Sequence, residues 1–410
     1  MPTINTGDTA WLLVSAALVM LMTPGLALFY GGMVRRKNLL STMMMSFAIL
    51  GLIGILWMLY GYSLAFGTDH GGFIGGLDYL ALRGVGQTPS AIYATTVPHL
   101  AFMIYQAMFA IITVALFTGA VVERMKFGAL LVFAILWFTI VYCPVAHWVW
   151  GGGWLAKLGV IDFAGGIVVH ITAGVSALAL AMVLGPRKGF KVDSMEPNNI
   201  PLIVLGAALL WFGWFGFNAG SALRANGLAS SAFVTTYAAG AAAGVTWMLL
   251  SWMHRRPTLL GTVTGAVVGL AAVTPASGYI TPIAGLAIGI VAAFISYYAM
   301  VWRNRSRLDE SLDVWACHGL GGTWGTLATG IFAVTAVNSA GANGLITGSS
   351  TLFFHQLLAV AVVWAYSFVI SYALARLLKA VMGIRVSKTE ESIGLDISQH
   401  GERAYGGFLR

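Results

Sequence analysis

The chain has 410 residues, 59% of them hydrophobic and only 9% charged, with a formal charge of +8. Soluble domains carry about 45–50% apolar and about 25% charged residues, so the composition excludes a water-soluble domain and points to a polytopic helical membrane protein. Long unbroken apolar runs exclude a β-barrel, whose strands are short and alternating. The positive charge falls in short loops and the tail rather than on one surface, which argues against nucleic acid as a partner.

Hydropathy predicts eleven spans, at about 10–30, 41–66, 100–122, 128–148, 166–185, 199–221, 229–252, 258–275, 280–302, 314–337 and 351–378. Each is near the ~20 apolar residues that cross a bilayer. No basic region precedes the first, so it reads as a permanent span rather than a signal peptide; Thr23-Pro24-Gly25 inside it predicts a kink. The 51 glycines suit close contact between membrane helices. Cys143 and Cys317 lie in apolar segments and make no disulfide framework. The Gly-rich connection 67–99 is placed to cover part of an outer mouth. Residues 1–378 read as one transmembrane domain and 379–410 as a cytoplasmic tail, expected to be a solvated, disordered end.

Lysine and arginine alternate between connections. Arg35, Arg36, Lys37, Arg124, Lys126, Arg187, Lys188, Lys191, Arg255, Arg256, Arg303, Arg305 and Arg307 fall on one side with the tail, and only Arg83, Lys157 and Arg224 on the other. Cytoplasmic loops carry the excess, so the N-terminus is expected outside and the C-terminus inside, which an odd number of spans satisfies. The fifth span then enters from outside behind Asp162, and the tenth from inside behind Asp313. Each carries a histidine a turn or two in: His170 and His318. Spans one to five (about 10–185) and six to ten (about 199–337) thus read as inverted repeats, an arrangement that puts transport sites near the midplane.

An ionisable group within a span is a functional candidate by default. Spacing alone does not bring His170 and His318 together. Alternatives are two unrelated packing histidines or ligands to a haem; Cys317 and His318, about 100° apart on a helix, do not suit a shared metal. Trp148, Trp150 and Trp154 crowd the outer end of the fourth span. Trp211, Trp214 and Phe217 end the sixth among Gly213, Gly216, Gly220 and Ser221, and Tyr105, Gln106 and Phe109 lie at similar depth in the third. Aromatic faces attract a desolvated cation by about 2 kcal/mol, although tryptophan also anchors spans at interfaces.

Several segments together resemble the ammonium transporter (Amt) family of the Amt/Mep/Rh superfamily over nearly the whole chain. They are Pro24-Gly-Leu-Ala-Leu-Phe-Tyr-Gly-Gly32, Gln106-Ala-Met-Phe-Ala110, Trp150-Gly-Gly-Gly153, Asp162-Phe-Ala-Gly-Gly-Ile-Val-Val-His170, Trp214-Phe-Gly-Phe-Asn-Ala-Gly-Ser221, Thr274-Pro-Ala-Ser-Gly278, Asp313-Val-Trp-Ala-Cys-His-Gly319 and the tail Gly394–Tyr405. The resemblance implies ammonium recruitment by Phe109, Trp150 and Ser221, with Phe109 and Phe217 as the gate beneath. It implies a pore lined by Trp214, His170 and His318, with Asp162 and Asp313 as structural and electrostatic support and Thr274 near the outer vestibule. It also implies no enzymatic activity or cofactor, a homotrimer with one pore per subunit, a PII-type regulatory partner on the cytoplasmic face, and a prokaryotic plasma or inner membrane. Tyr105 stands where phenylalanine is commoner, and the residue before His318 varies. The presence of Trp150 and Ser221 favours Amt over Rh. The short tail argues against a fused sensor domain. The functional expectation is uptake of ammonium with deprotonation and passage of ammonia. A passive ammonia or carbon dioxide channel, a haem redox protein and a sensor of the same fold are the alternatives.

Overall fold

The computed structural model describes residues 3–405. Among them, nine helices are long and apolar enough to cross a membrane. In chain order these are α1 (Thr6–Met33), α2 (Arg36–Phe66), α3 (His99–Ala120), α4 (127–149, followed by a short turn of helix at Trp154–Leu158), α5 (Gly166–Leu184), α6 (Ile200–Ala222), α7 (Gly227–His254), α9 (Pro282–Arg305) and α11 (Thr351–Val381). Two further expected spans are shorter. The eighth, α8, is the fifteen-residue helix Leu259–Val273, closed by Thr274-Pro275, whose ring cannot continue it. The tenth, α10, covers residues 315–332 as a π-helical Trp315–Leu320 that runs on as α-helix to Phe332. Its five glycines lower the hydropathy that the bilayer criterion requires.

Helix starts follow the sequence. Asn5, Asn199, Asn226, Thr258 and Thr281 each accept a backbone N–H at the head of α1, α6, α7, α8 and α9, which satisfies donors that the helix itself leaves free. Pro24 lies within α1, which runs through it as one helix.

Two pairs of helices are drawn together by glycine. A Cβ on Gly206 of α6 would stand 2.4 Å from the Phe29 nitrogen of α1, and one on Gly174 of α5 would stand 2.1 Å from the Gly319 nitrogen of α10. No side chain fits at either contact, so the backbones touch, and the second contact lies beside His318. The connection 67–99 forms two small antiparallel pairs, β1 (Asp69–His70) with β2 (Ile74–Gly75) and β3 (Pro89–Ser90) with β4 (Ala94–Pro98). Its Ile92 and Tyr93 reach a hollow at that end of the bundle.

The opposite, basic end is tied by ion pairs. Arg35 and Arg187 meet Glu123, Arg187 also meets Asp309 at 2.8 Å, and Arg303 meets Asp313. Here the tail departs from expectation. Its described part is ordered, as α12 (Lys388–Ile393) and α13 (Leu395–His400). A capping box of Ser387 and Glu390 starts α12. Glu391 pairs with Arg385 and accepts from the Lys188 nitrogen, while Asp396 accepts from the Ser41 nitrogen at 2.7 Å. Glu391 and Asp396 therefore have specific partners within the fold.

Candidate functional site

The end of the bundle away from the basic loops holds a hollow of about 420 Å³, lined among others by Tyr93, Gln106, Phe109, Trp150, Asp162 and Ser221. Its floor is aromatic. Phe109 meets Trp150 edge-on at 5.9 Å and lies over Phe217 with ring centroids 4.3 Å apart. The indole Nε1 of Trp150 donates to the Asp162 carbonyl at 2.9 Å, fixing the ring's orientation. Ser221 Oγ donates to the Phe217 carbonyl at 2.9 Å and stands 3.1 Å from the Tyr105 hydroxyl. Tyr105 also reaches the carbonyls of Gly216 and Phe217, each at 2.9 Å. A hydroxyl has two acceptor lone pairs, so Ser221 keeps acceptor capacity at the edge of the hollow.

Asp162 shapes the wall. One carboxylate oxygen accepts from the nitrogens of Gly165 and Gly166, the other from Ile167 and Val168, at 2.7–3.2 Å. Burial pushes this carboxyl above its ordinary range and the four N–H groups pull it back. Gly165 takes φ +115°, a left-handed conformation open to glycine. The chain turns there directly into a π-helical run, Gly166–Ile171, which carries His170. The His318 turn is π-helical too. Such turns are rare and concentrate at functional sites.

The two histidines meet. His170 Nδ1 and His318 Nδ1 are 3.2 Å apart, with ring centroids at 5.1 Å and planes 26° apart. Both rings are buried, at 1% and 4% exposure. One Nδ1 must donate and the other accept, so the pair shares one proton along this contact and its tautomers are complementary. His170 Nε2 has no partner among the described residues. The rings border a chamber of about 20 Å³ beneath Phe217, shared with Trp214, Tyr30 and apolar side chains of α1, α3 and α6. That is room for about one water-sized molecule. Trp214 Nε1 donates to Thr274 Oγ1 at 2.9 Å. The aromatic hollow, the stacked phenyl pair, the single-molecule chamber and the imidazole pair thus follow one another into the bundle.

Residues 10–405 match the model of the Ammonium Transporter Family. The chain belongs to the ammonium transporter family. It is 48% identical to an ammonium transporter of Bacillus subtilis over 401 residues, covering 97% of this chain and 98% of that one. It is 51% identical to ammonium transporter Amt1 of Archaeoglobus fulgidus over 399 residues, covering 97% and 99%. Among solved structures it resembles Mep2 of Candida albicans, with TM-score 0.90, 37% identity and coverage of 98% and 90%. A protein described as a sensor Amt protein is also similar, at TM-score 0.88, 30% identity and coverage of 96% and 98%.

Two residues of this family member find their side-chain partners away from the hollow. Thr274 does not line the hollow; it is fully buried and serves Trp214 from behind. Asp313 stands at the head of α10, where its carbonyl accepts from the Cys317 nitrogen at 2.9 Å while its carboxylate pairs with Arg303. The carboxylate that accepts an N–H there is Glu310, from Trp315 at 3.2 Å. Glu310 stands eight residues before His318, as Asp162 stands eight before His170; that equal spacing was the available signal. Gln106 is the other residue read only as part of a motif. It faces the hollow, and its buried Oε1 has no partner among the described residues.

Proposed function

We propose that this protein carries ammonium into the cell as ammonia and a proton that move separately. The observation that carries the reading is the imidazole pair closing a one-molecule apolar chamber beneath two stacked phenyl rings. In the proposal the family's membrane domain, residues 1–378, crosses a prokaryotic plasma or inner membrane eleven times, N-terminus outside, as two inverted five-helix repeats and a last helix. The basic end is cytoplasmic by the positive-inside rule, and the paired contacts of α1 with α6 and of α5 with α10 support the repeat. The hollow then opens outside.

Ammonium is held there by the faces of Phe109 and Trp150 and by the Ser221 oxygen, and Phe109 and Phe217 part to admit it. A bare ion in the chamber below would cost tens of kcal/mol by Born solvation, so such groups neutralise instead. Ammonium can neutralise by losing a proton; potassium, of similar size and charge, cannot. Ammonia then fits the chamber, and the histidine pair, whose contact already holds one proton, takes the released proton on a free ring nitrogen and passes one onward. Trp214 lines the path and Asp162 and Asp313 hold the two entry turns. No cofactor enters the reading. As the family resemblance implies, we place one pore in each subunit of a homotrimer and a PII-type partner on the cytoplasmic face. Likeness to a protein described as a sensor keeps a signalling role as the second reading.

Purified protein in liposomes on a solid-supported membrane tests this. An ammonium pulse is expected to give an inward current that potassium does not. Rapid ammonia flux with no current would make the protein a passive gas channel.

A further inference from the structure

At the cytoplasmic mouth four buried carboxylates have a cationic partner. Glu123 meets Arg35 and Arg187, Asp309 meets Arg187, Asp313 meets Arg303, and Glu391 meets Arg385. Arg124 spends its donors on the carbonyls of Val122, Gly185 and Asp309 and on the Ser311 hydroxyl. Glu310 is left. It is fully buried, one oxygen accepts from the Trp315 nitrogen, and the other, Oε1, has no partner among the described residues.

Asp162 provides the contrast. Both precede a π-helical turn by the same distance from a histidine, and both accept N–H groups at its start, but Asp162 has both oxygens occupied by four donors. Leaving a buried polar oxygen bare costs about 1–3 kcal/mol, and more when it is charged, so an oxygen left open calls for a use.

The position of Glu310 supplies one. It precedes the turn that carries His318, and Tyr30 of α1 and Cys317 lie within its electrostatic reach. Tyr30 itself lines the histidine chamber. Val314, at the head of that turn, packs with Tyr30 around Gly119. Burial and the neighbouring Asp313 carboxylate push the Glu310 carboxyl up to about 7, against the pull of Arg303. A group that titrates there both takes and gives a proton at neutral pH.

We propose that Glu310 is the proton acceptor at the cytoplasmic end of the relay, receiving through water the proton that the histidine pair takes from ammonium. The inference rests on the deprotonation reading above. An ammonium N–H bond breaks and an imidazole N–H forms, leaving ammonia and an imidazolium. The imidazolium N–H then breaks as an O–H forms on Glu310, restoring the neutral imidazole. Glu310 finally loses that proton to cytoplasmic water. One ammonia and one proton have crossed, which balances the charge of one ammonium.

The test uses full-length protein in liposomes. Wild type, Glu310→Gln and Glu310→Asp are compared for ammonium-evoked current across internal pH 5.5–8.5. Infrared titration of the carboxyl band in the same samples gives a readout that needs no transport. Glu310→Gln is expected to lower the current about a hundredfold or more, within the range of a lost general acid–base group, and to remove a carboxyl signal that appears in wild type as pH falls through about 7. Glu310→Asp is expected to restore part of both. Wild-type current and internal-pH profile in Glu310→Gln would overturn the role of Glu310 while leaving deprotonation intact. Absence of current in wild type would overturn both. Should neither variant fold, a wild-type carboxyl signal that does not change between pH 6 and 8 overturns the proposal by itself.

Discussion

Asp162→Asn is the sharpest perturbation of the outer wall. Asparagine keeps one carbonyl oxygen, which can hold one of the two N–H pairs that Asp162 now accepts from Gly165, Gly166, Ile167 and Val168. Its amide nitrogen, a donor, must then face the other pair. Two charge-assisted bonds are lost and two buried N–H groups are orphaned, at about 1–3 kcal/mol each. The expected loss is about 2–6 kcal/mol, relieved in part by water from the adjoining hollow. Against a typical total of about 5–15 kcal/mol that is a large fraction. Thermal unfolding of purified protein in detergent should show a drop of several degrees, and hydrogen exchange should show faster exchange at the amides of Gly165 to Val168. If Asp162→Asn melts with wild type and those amides stay protected, the carboxylate does not hold the His170 turn and this reasoning is wrong.

Thr274→Val removes the acceptor of the Trp214 indole N–H at nearly constant volume. An unsatisfied buried donor of this kind should cost about 1–3 kcal/mol, and the transport rate should fall while the outer affinity for ammonium holds, since Thr274 does not line the hollow. Equal rates in the two proteins would show that Trp214 needs no support. Acid should loosen the basic end first. Burial raises the carboxyls of Glu123 and Asp309, but Arg187 and its neighbours outweigh it and the net is downward. Both are therefore lower folded than unfolded. Their contribution to stability is complete above the ordinary carboxylate range near 4 and is lost as pH falls below it. Melting temperature should drop between about pH 5 and pH 3, and less so in an Arg187→Met, Glu123→Gln, Asp309→Asn protein that lacks the cluster; equal slopes would refute the assignment.

Much of this was legible in residues. Apolar runs marked the long helices, and asparagine, threonine and proline marked where many begin. The two ends of the shortest helices were not legible, because Pro275 and the glycines after Trp315 cut the periodic signal before the apolar composition ends. His170 and His318 stood out as ionisable groups in apolar segments, but their meeting depends on the Gly174–Gly319 contact between segments 145 residues apart in the chain, which no local pattern shows. Asp313 drew attention by its nearness to His318, yet a carboxylate's partner is set by what folds beside it. Arg303 took the Asp313 carboxylate, and the side chain that accepts an N–H at the helix start is that of Glu310. The tail was misread for the same reason: two of its carboxylates have partners about 200 to 360 residues away in sequence, as in Lys188–Glu391 and Ser41–Asp396.

Ion discrimination in the histidine variants bears most directly on the whole account. Ammonium and potassium pulses should be applied to wild type, His170→Ala and His318→Ala in liposomes, with current read on a solid-supported membrane. If the imidazole pair strips and relays the proton, wild type passes current with ammonium alone, and each variant either loses that current or begins to pass potassium. Ammonium-selective current of wild-type size in both variants would contradict the account.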